Sequence, residues 1–239
     1  MKIKLINWSA KWSESLAQPS GWQGLPLGEA YRAHLQEAIV PWLKHIPGYQ
    51  IAKLGCLSGE IRCDLPLRHQ TTVIDSENLQ NFTPFKAESD SLLCANMTEL
   101  PFIERSIDGC LLANTLNFSQ DPHQLLREVC RVLNDDGLLL LSLFNPLSPL
   151  LWKRKLGDYR FRQYPLWRIL DWLALLHFDI LHCQTIALTK QHSFCAPLQL
   201  VVAQKRRYPL NFNLETEKPT VENFLSPANA FKLDSSNST

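Results

Sequence analysis

The sequence predicts an α/β fold in which about seven mostly parallel strands form a single sheet. Short apolar runs alternate along the chain with segments of helical periodicity, as they do in sheets built from βαβ units. The run LLLLSLF at 138–144 is apolar throughout, which is typical of a central strand that is covered on both faces. Two strand-like runs, 179–188 and 198–205, follow one another without a helical segment, so we expect the last strand to be antiparallel.

The chain is predicted to begin with a helical extension, residues 1–48, that precedes the sheet domain. Within it, apolar side chains recur at spacings of three and four over 28–44, which predicts an amphipathic helix. Pro41 lies near the end of this helix and is expected to kink or shorten it.

The sheet domain is predicted over residues 49–207. Its first four strands are placed at 49–55, 71–75, 91–95 and 107–114. The connection between the first two strands is short and contains Pro66, so we expect only a brief helix there. Residues 208–239 are rich in Pro, Ser, Asn and Thr, which predicts a polar and flexible tail.

Two longer helices are predicted inside the sheet domain. The first begins with Asp121 as its N-cap and Pro122 in its first turn, and both residue types favour those positions. It is expected to end in the segment NDDG, where Gly137 can adopt a left-handed conformation. The second helix is placed at 165–178.

Composition excludes several classes of protein. The formal net charge is +1, so we expect no overall field that attracts nucleic acid. The seven cysteines are odd in number and form no CxxC pair, which is typical of a reducing, cytoplasmic environment. No apolar stretch is long enough for a signal peptide or a membrane span, so we expect no association with a membrane.

A glycine-containing loop, KLGCLSGEI at 53–61, follows the first predicted strand. Asp75 ends the second strand, 20 residues after Gly55. In doubly wound sheets such an acid binds ribose hydroxyls while the backbone of the loop approaches the cofactor. These two features alone also suit a βαβ unit without a ligand, because its first turn needs small residues and many strands end in Asp.

Two downstream stretches carry a family resemblance. They are LPF at 100–102 with SID at 106–108, and DP at 121–122 followed by RVL and a glycine before the fifth strand. In these motifs and their order, the chain resembles class I S-adenosylmethionine-dependent methyltransferases of the type 11 group. The segments WQGLPLGEAYR, LGCLSGEI and FNPLSP resemble, more closely, the YafS-type group of bacterial methyltransferase-like proteins. The resemblance implies a Rossmann-like sheet, S-adenosylmethionine as the cofactor and a methyl acceptor, which we expect to be a small molecule.

The resemblance also implies which residues bind the cofactor. They are Gly55, Leu57, Gly59, Asp75, Asn96, Met97 and Asn114. The loop glycines would line the methionine and ribose part, and Asp75 would accept the ribose hydroxyls. Asn96 and Met97 would contact adenine, the first through its side chain and the second through its backbone. Asn114 would lie near the methionine end.

Three positions depart from the family pattern. Lys53 stands where the family has an acid near the cofactor ammonium, Leu57 replaces a glycine, and Asn96 replaces an aspartate. These departures keep a second hypothesis open, in which a degenerate methyltransferase fold serves as a non-catalytic binding or partner module. No residue is assigned as a catalytic base, because methyl transfer from a sulfonium depends on alignment and a base is optional.

The segment 152–168 is both basic and aromatic, so it could bind an anionic acceptor or RNA. We favour the simpler interpretation, a solvated loop and helix flank whose aromatic side chains pack on the domain. An RNA-directed methyltransferase therefore stays open, but it is not favoured because the fourth strand ends in ANTLNF and not in an NPPY-like segment. His123 could reach an acceptor pocket or could simply be exposed in the first turn of its helix.

A metal site is not expected. His182, Cys183, His192 and Cys195 are candidates by residue type, but their spacing matches no standard zinc site. Adjacent residues on a strand also point to opposite faces, which separates the first two of them.

Overall fold

The computed structural model describes residues 16–63, 69–76, 90–152, 154–188 and 195–206. Within them, nine strands are present: β1 (Gln50–Leu54), β2 (His69–Ile74), β3 (Asp90–Cys94), β4 (Ile107–Ala113), β5 (Leu133–Phe144), β6 (Lys155–Leu156), β7 (Tyr159–Arg160), β8 (Phe178–Ile186) and β9 (Leu198–Lys205). Seven form one sheet in the order β3-β2-β1-β4-β5-β9-β8, and β6 pairs with β7 in a separate hairpin.

The sheet confirms the predicted fold class. Strands β1 to β5 pair in parallel, whereas β9 is antiparallel to both β5 and β8. Strands β1 and β4 lie side by side and pair in parallel. From β1 the chain adds β2 and β3 on one side, and from β4 it adds β5 on the other, so the direction in which strands are added reverses between β1 and β4. Ligands of open α/β sheets bind at such a reversal, outside the carboxyl ends of the strands.

Five α-helices are described: α1 (Gly28–Leu43), α2 (Cys56–Gly59), α3 (Thr115–Phe118), α4 (Pro122–Val132) and α5 (Leu166–Leu175). In the described part of the connection after β1, residues 55–63, the helical segment is the single turn of α2. Pro41 lies in the last turn of α1, and the helix ends two residues later.

Helix α1 covers one face of the sheet. Its side chains Tyr31, Leu35 and Ile39 are buried and share one core cluster with Ile51 of β1 and Leu111 of β4. Burial of each such side chain stabilises the fold by about 1.5–3 kcal/mol. Helix α1 therefore packs directly on the sheet that carries the candidate site.

The backbone at Gly28, where α1 starts, lies close to the backbone of Trp22. A Cβ atom at Gly28 would collide with the carbonyl oxygen of Trp22. Trp22 lies in a short 3₁₀ turn, Trp22–Gly24, just before the helix. We call residues 16–27 the N-terminal strap, because they pack across the loop that follows β1.

Helix α4 covers the opposite face, and its start confirms the predicted cap. The Asp121 side chain accepts a hydrogen bond from the Gln124 backbone N–H at 3.1 Å, and Pro122 occupies the first turn. Leu125 and Val129 of this helix are buried in the second core cluster. The local signals around Asp121 therefore suffice to position this helix.

Replacing Asp121 with alanine is expected to lower the free energy of unfolding by about 1 kcal/mol, because a helix N–H loses its acceptor. Urea denaturation measures this change. The control is Asp171→Ala on the exposed face of α5, for which we expect a change within about 0.5 kcal/mol. Equal effects of the two substitutions would contradict a capping role for Asp121.

The expectation for Gly137 is wrong. Helix α4 ends at Val132 and β5 begins at once, with Asp136 and not Gly137 in the left-handed region at φ 64°. A Cβ atom at Gly137 would lie 2.8 Å from Leu133 Cγ and 2.9 Å from Asn134 O. Glycine is therefore required there by close packing and not by backbone conformation.

Two further expectations are not tested. The predicted tail at 208–239 lies outside the described residues, as does Pro66. The proposed boundaries at residues 48 and 207 remain predictions. Among the described helices, none combines the length and the hydropathy that crossing a membrane requires.

Candidate cofactor site

A cavity of about 690 Å³ opens at the carboxyl ends of β2 and β3, beside the segment that follows β4. Three residues predicted to bind the cofactor line it: Asp75, Asn96 and Met97. Phe118 and Gln124 also line it. The sheet therefore brings together residues that lie far apart in the sequence, at the place where α/β sheets bind ligands.

Asp75 directly follows β2 and is half-buried in the wall of the cavity. Its Oδ2 accepts a hydrogen bond from Gln18 Nε2 at 3.0 Å. Gln18 belongs to the N-terminal strap and also lines the cavity. The carboxylate predicted to bind ribose thus already has a donor from the protein itself.

Asn96 and Met97 follow β3 and have different environments. Asn96 is exposed, and its Oδ1 accepts hydrogen bonds from Thr98 N at 2.9 Å and from Thr98 Oγ1 at 2.8 Å. An amide oxygen has two lone pairs, so Thr98 uses both and the amide NH₂ is the group that Asn96 offers to a ligand. Met97 is buried and packs in the second core cluster.

The loop after β1 is tied to the end of β4. Gly55 adopts φ 89°, and a Cβ atom there would lie 3.2 Å from Thr115 Oγ1. Thr115 Oγ1 donates to Leu54 O at 2.6 Å. Ser58 Oγ accepts from Ala113 N at 2.8 Å. Glycine at position 55 therefore serves both the turn and the close approach of the two strand ends.

The space next to this loop is narrow. A gap of about 10 Å³ is lined by Gly55 and Thr115, together with Gln18 and Pro19 of the strap. The Gly59 N–H donates to Gly55 O at 3.1 Å, so it closes the turn of the loop. The methionine end of the predicted site is thus much tighter than the cavity beside Asp75.

Leu57 is buried in the core cluster under helix α1, together with Trp22 and Ile61. Its carbonyl oxygen accepts a hydrogen bond from Trp22 Nε1 at 2.9 Å. The Trp22 backbone N–H donates to Glu60 Oε2 at 3.1 Å. The leucine that replaces the family's glycine therefore anchors the strap to the loop through apolar packing.

Lys53 is only 2% exposed, and its Nζ donates to Ile61 O at 2.8 Å. Residues alternate along β1, so Lys53 shares the face of Ile51, which packs under helix α1. Among the described residues, no carboxylate lies within ion-pair distance of its ammonium group. Lys53 thus donates a hydrogen bond to the far end of the loop. An ionised acidic side chain at this position could not make that hydrogen bond, because a carboxylate only accepts.

Asn114 is fully buried in the left-handed conformation, φ 55°. Its Oδ1 accepts from Ser142 Oγ at 2.8 Å, and its Nδ2 donates to Asn117 Oδ1 at 3.4 Å. Its side chain therefore bridges the ends of β4 and β5. The neighbours Ala113 and Thr115, not Asn114, line the narrow gap.

Cys56 lies in the loop but is not suited to nucleophilic attack. Burial raises the pKa of its thiol to about 12, and the nearby Asp75 carboxylate adds to this rise. Because the thiolate is the reactive form, Cys56 stays a thiol at neutral pH.

Three functional contacts were missed by the sequence reasoning: those of Gln18, Trp22 and Thr115. The Gln18 and Trp22 contacts join the strap to residues 57 and 35 positions further along, which no local pattern shows. In the described part of the chain, no group of three or more potential metal ligands occurs, and His192 lies outside it.

Comparison with known proteins identifies the family. The family pattern described as "Methyltransferase domain" matches residues 52–141, which contain the loop, Asp75 and Asn96. The chain is also 38% identical over 224 residues to protein YafS of Escherichia coli (strain K12), covering 85% of this chain and 88% of that protein. The chain belongs to the same family as YafS, and its residues 52–141 form a domain of the methyltransferase type.

Solved structures agree with this assignment at the level of the fold. An S-adenosylmethionine-dependent methyltransferase from Thermotoga maritima has a TM-score of 0.56 and 19% identity, over 76% of this chain and 92% of its own. The 1,6-didemethyltoxoflavin-N1-methyltransferase of Burkholderia thailandensis has a TM-score of 0.53 and 16% identity, over 74% and 80%. Membership of this methyltransferase family implies S-adenosylmethionine as the cofactor.

Proposed function

We propose that this protein transfers the methyl group of S-adenosylmethionine to a small acceptor. The observation that carries the proposal is the position of the Asp75 carboxylate, which lines a cavity of about 690 Å³ at the carboxyl ends of β2 and β3. A carboxylate at that place accepts hydrogen bonds from two adjacent ribose hydroxyls.

The residues of the cavity fit the nucleoside half of the cofactor. Asp75 would hold the ribose, while the Asn96 amide NH₂ and the backbone of Met97 would bind adenine. The backbone of the loop from Gly55 would hold the methionine part. Because Gln18 and its neighbour Pro19 line the narrow gap there, binding would require the strap to shift at these two residues.

The cofactor, when bound, supplies an electrophilic methyl group on a sulfonium. The chain contributes position and exclusion of water, which together can lower a barrier by several kcal/mol, roughly 7–11 at the limit. The strap residue Gln18 and the aromatic Phe118 each line both the cavity and the gap. No base is required of this chain unless the acceptor must lose a proton first.

A thermal shift experiment tests the proposal. Either S-adenosylmethionine or S-adenosylhomocysteine, at 100 times its dissociation constant, should add about 2.7 kcal/mol to the stability of the protein. Adenine alone is the control, because it lacks the ribose that Asp75 would bind. Absence of a shift with either compound at millimolar concentration would overturn the proposed activity.

The second candidate is a non-catalytic binding module, and Lys53 and Leu57 favour it because both serve the protein core. It predicts no cofactor binding by the wild type and a gain of binding in the double variant Lys53→Asp, Leu57→Gly. From the structure we expect no gain of binding in the double variant, because it loses the buried Leu57 side chain and places a carboxylate against Ile61 O. A double variant that folds and binds S-adenosylhomocysteine better than the wild type would establish the second candidate.

A further inference from the structure

Two buried hydroxyl groups, those of Ser58 and Thr115, connect the ends of β1 and β4. The pairing of β1 with β2 extends to Leu54, whereas its pairing with β4 ends one residue earlier, at Lys53. We propose that Thr115 is a positioning residue for the methionine part of the cofactor, because its hydroxyl and that of Ser58 set the path of the loop after β1. This inference rests on the proposed function and deepens it, since it separates the residues that position the methionine part from those that hold the nucleoside.

The carbonyl group of Leu54 is the group that the two hydroxyls hold. Ser58 Oγ donates to Leu54 O at 2.5 Å, and Thr115 Oγ1 donates to the same oxygen at 2.6 Å. A carbonyl oxygen has two lone pairs, so these two hydrogen bonds use both. Ser58 Oγ also accepts from the Ala113 N–H of β4 at 2.8 Å. The hydroxyls therefore take the place of ladder hydrogen bonds at the point where β1 and β4 separate.

Thr115 also contacts the loop at Gly55, the residue after Leu54. A Cβ atom on Gly55 would lie 3.2 Å from Thr115 Oγ1 and 3.3 Å from Thr115 Cγ2. On its other side, the Gly55 N–H donates to Val73 O of β2 at 2.8 Å. The start of the loop is thus fixed between β2 and the Thr115 side chain.

Thr115 is itself held by the end of β5. The N–H of the preceding residue, Asn114, donates to Ser142 O and to Ser142 Oγ, at 3.1 Å in each case. Ser142 Oγ in turn donates to Asn114 Oδ1 at 2.8 Å. Both residues are fully buried, and a buried network whose members are satisfied is rigid. Thr115 therefore gives the loop a fixed edge of the sheet as its reference.

Thr115 lies at one part of the site only. Together with Gly55 and Ala113, it lines the narrow gap at the methionine end. The described residues that line the cavity beside Asp75 include none of these three. Loss of the Thr115 hydroxyl should therefore weaken the hold on the methionine part of a ligand and leave the nucleoside part bound as before.

The test compares two ligands by calorimetry. S-adenosylhomocysteine carries both parts, whereas methylthioadenosine carries the nucleoside and the sulfur but lacks the amino-acid part. The readout is the ratio of their two dissociation constants, because a general loss of structure affects both ligands alike. In the variants Thr115→Ala and Thr115→Ser the methyl group is lost, and only the second keeps the hydroxyl. The matched control is Thr72→Ala in β2, because Thr72 is 6% exposed and Thr115 is 5% exposed.

We expect Thr115→Ala to raise the dissociation constant of S-adenosylhomocysteine about three- to tenfold, the effect of one neutral hydrogen bond. The dissociation constant of methylthioadenosine should change less than about twofold. Thr115→Ser should restore the wild-type ratio, and Thr72→Ala should leave it unchanged. Ser58→Ala removes the second hydroxyl and should change the ratio in the same direction as Thr115→Ala, so the test does not depend on one variant. Urea denaturation of each variant checks that it is folded.

Three results would overturn the inference while the wild type still binds S-adenosylhomocysteine. The first is an equal loss of affinity for both ligands in Thr115→Ala, because Thr115 would then support the fold as a whole. The second is an unchanged ratio in Thr115→Ala. The third is a ratio in Thr115→Ser that equals that of Thr115→Ala, because the hydroxyl would then have no role. A wild type that binds neither ligand would overturn the proposed function and this inference together.

Discussion

Replacing Trp22 with alanine is expected to lower the free energy of unfolding by about 3–5 kcal/mol, as measured by urea or guanidinium denaturation. The Trp22 side chain is 0% exposed, and its Nε1 donates to Leu57 O. The substitution removes the largest side chain in the contact between the strap and the loop, and it leaves a buried carbonyl without its donor. This is the largest stability change that we predict.

Two further variants isolate the causes. Trp22→Phe keeps most of the apolar volume but removes the donor to Leu57 O, so we expect a smaller loss of about 1–3 kcal/mol. Trp167→Ala removes a tryptophan that is 64% exposed on α5, and it should change stability by no more than about 0.5 kcal/mol. If Trp22→Ala and Trp167→Ala proved equally mild, the strap would not pack on the loop as described.

Replacing Asp75 with alanine is expected to weaken binding of S-adenosylhomocysteine about 10- to 100-fold. A charge-assisted hydrogen bond contributes about 1.5–3 kcal/mol, and the ribose hydroxyls would lose theirs. Asp75 is half-buried and makes its side-chain hydrogen bond with Gln18 near the surface, so stability should change by only about 1 kcal/mol. Calorimetric titration measures the affinity, and denaturation measures the stability.

The matched controls for Asp75→Ala separate the carboxylate from the strap. Gln18→Ala removes the donor that competes for Asp75, so it should leave cofactor affinity unchanged or improve it. Asp158→Ala removes a fully exposed carboxylate in the β6–β7 hairpin and should have no effect on affinity. A loss of binding in Gln18→Ala as large as in Asp75→Ala would mean that the strap, and not the carboxylate, forms the site.

Much of this fold could be predicted from local signals. The apolar run at 138–144 falls in β5, an interior strand of the sheet, and Asp121 caps α4, because burial and capping depend on a few neighbouring residues. Asp75 was placed in the site because it ends a strand that lies parallel to β1, so its position follows from the sheet. The side chain of Asn96 was predicted to contact adenine, yet its amide oxygen accepts from the backbone of Thr98, as an Asn side chain often does from the backbone two residues later.

The parts that sequence reasoning did not predict depend on contacts between distant segments. Lys53 and Leu57 are departures from the family pattern when only the loop is considered. In the structure, both side chains point to the face covered by helix α1, where Lys53 bonds Ile61 and Leu57 packs on Trp22. The direction of a side chain on β1 follows from strand alternation, but the presence of Trp22 opposite Leu57 does not, because the two residues are 35 positions apart. Packing against the strap and α1 therefore explains Lys53 and Leu57 as well as the chemistry of the cofactor does.

The arrangement also explains how a tight loop and an open cavity coexist in one site. The nucleoside side is open, whereas the methionine side is a narrow gap that Gln18 and Pro19 help to line. Trp22 then holds the rest of the strap to the loop. Cofactor binding would therefore replace the hydrogen bond of Gln18 to Asp75 with one from the ribose, and it would leave the contacts of Trp22 in place.

The most direct measurement is a calorimetric titration of the full-length wild-type protein with S-adenosylhomocysteine, repeated with Asp75→Ala. The account predicts saturable binding of one ligand per chain, and an affinity about 10- to 100-fold lower in the variant. Saturable binding that is equally tight in Asp75→Ala, or no binding to the wild type at millimolar ligand, would contradict it.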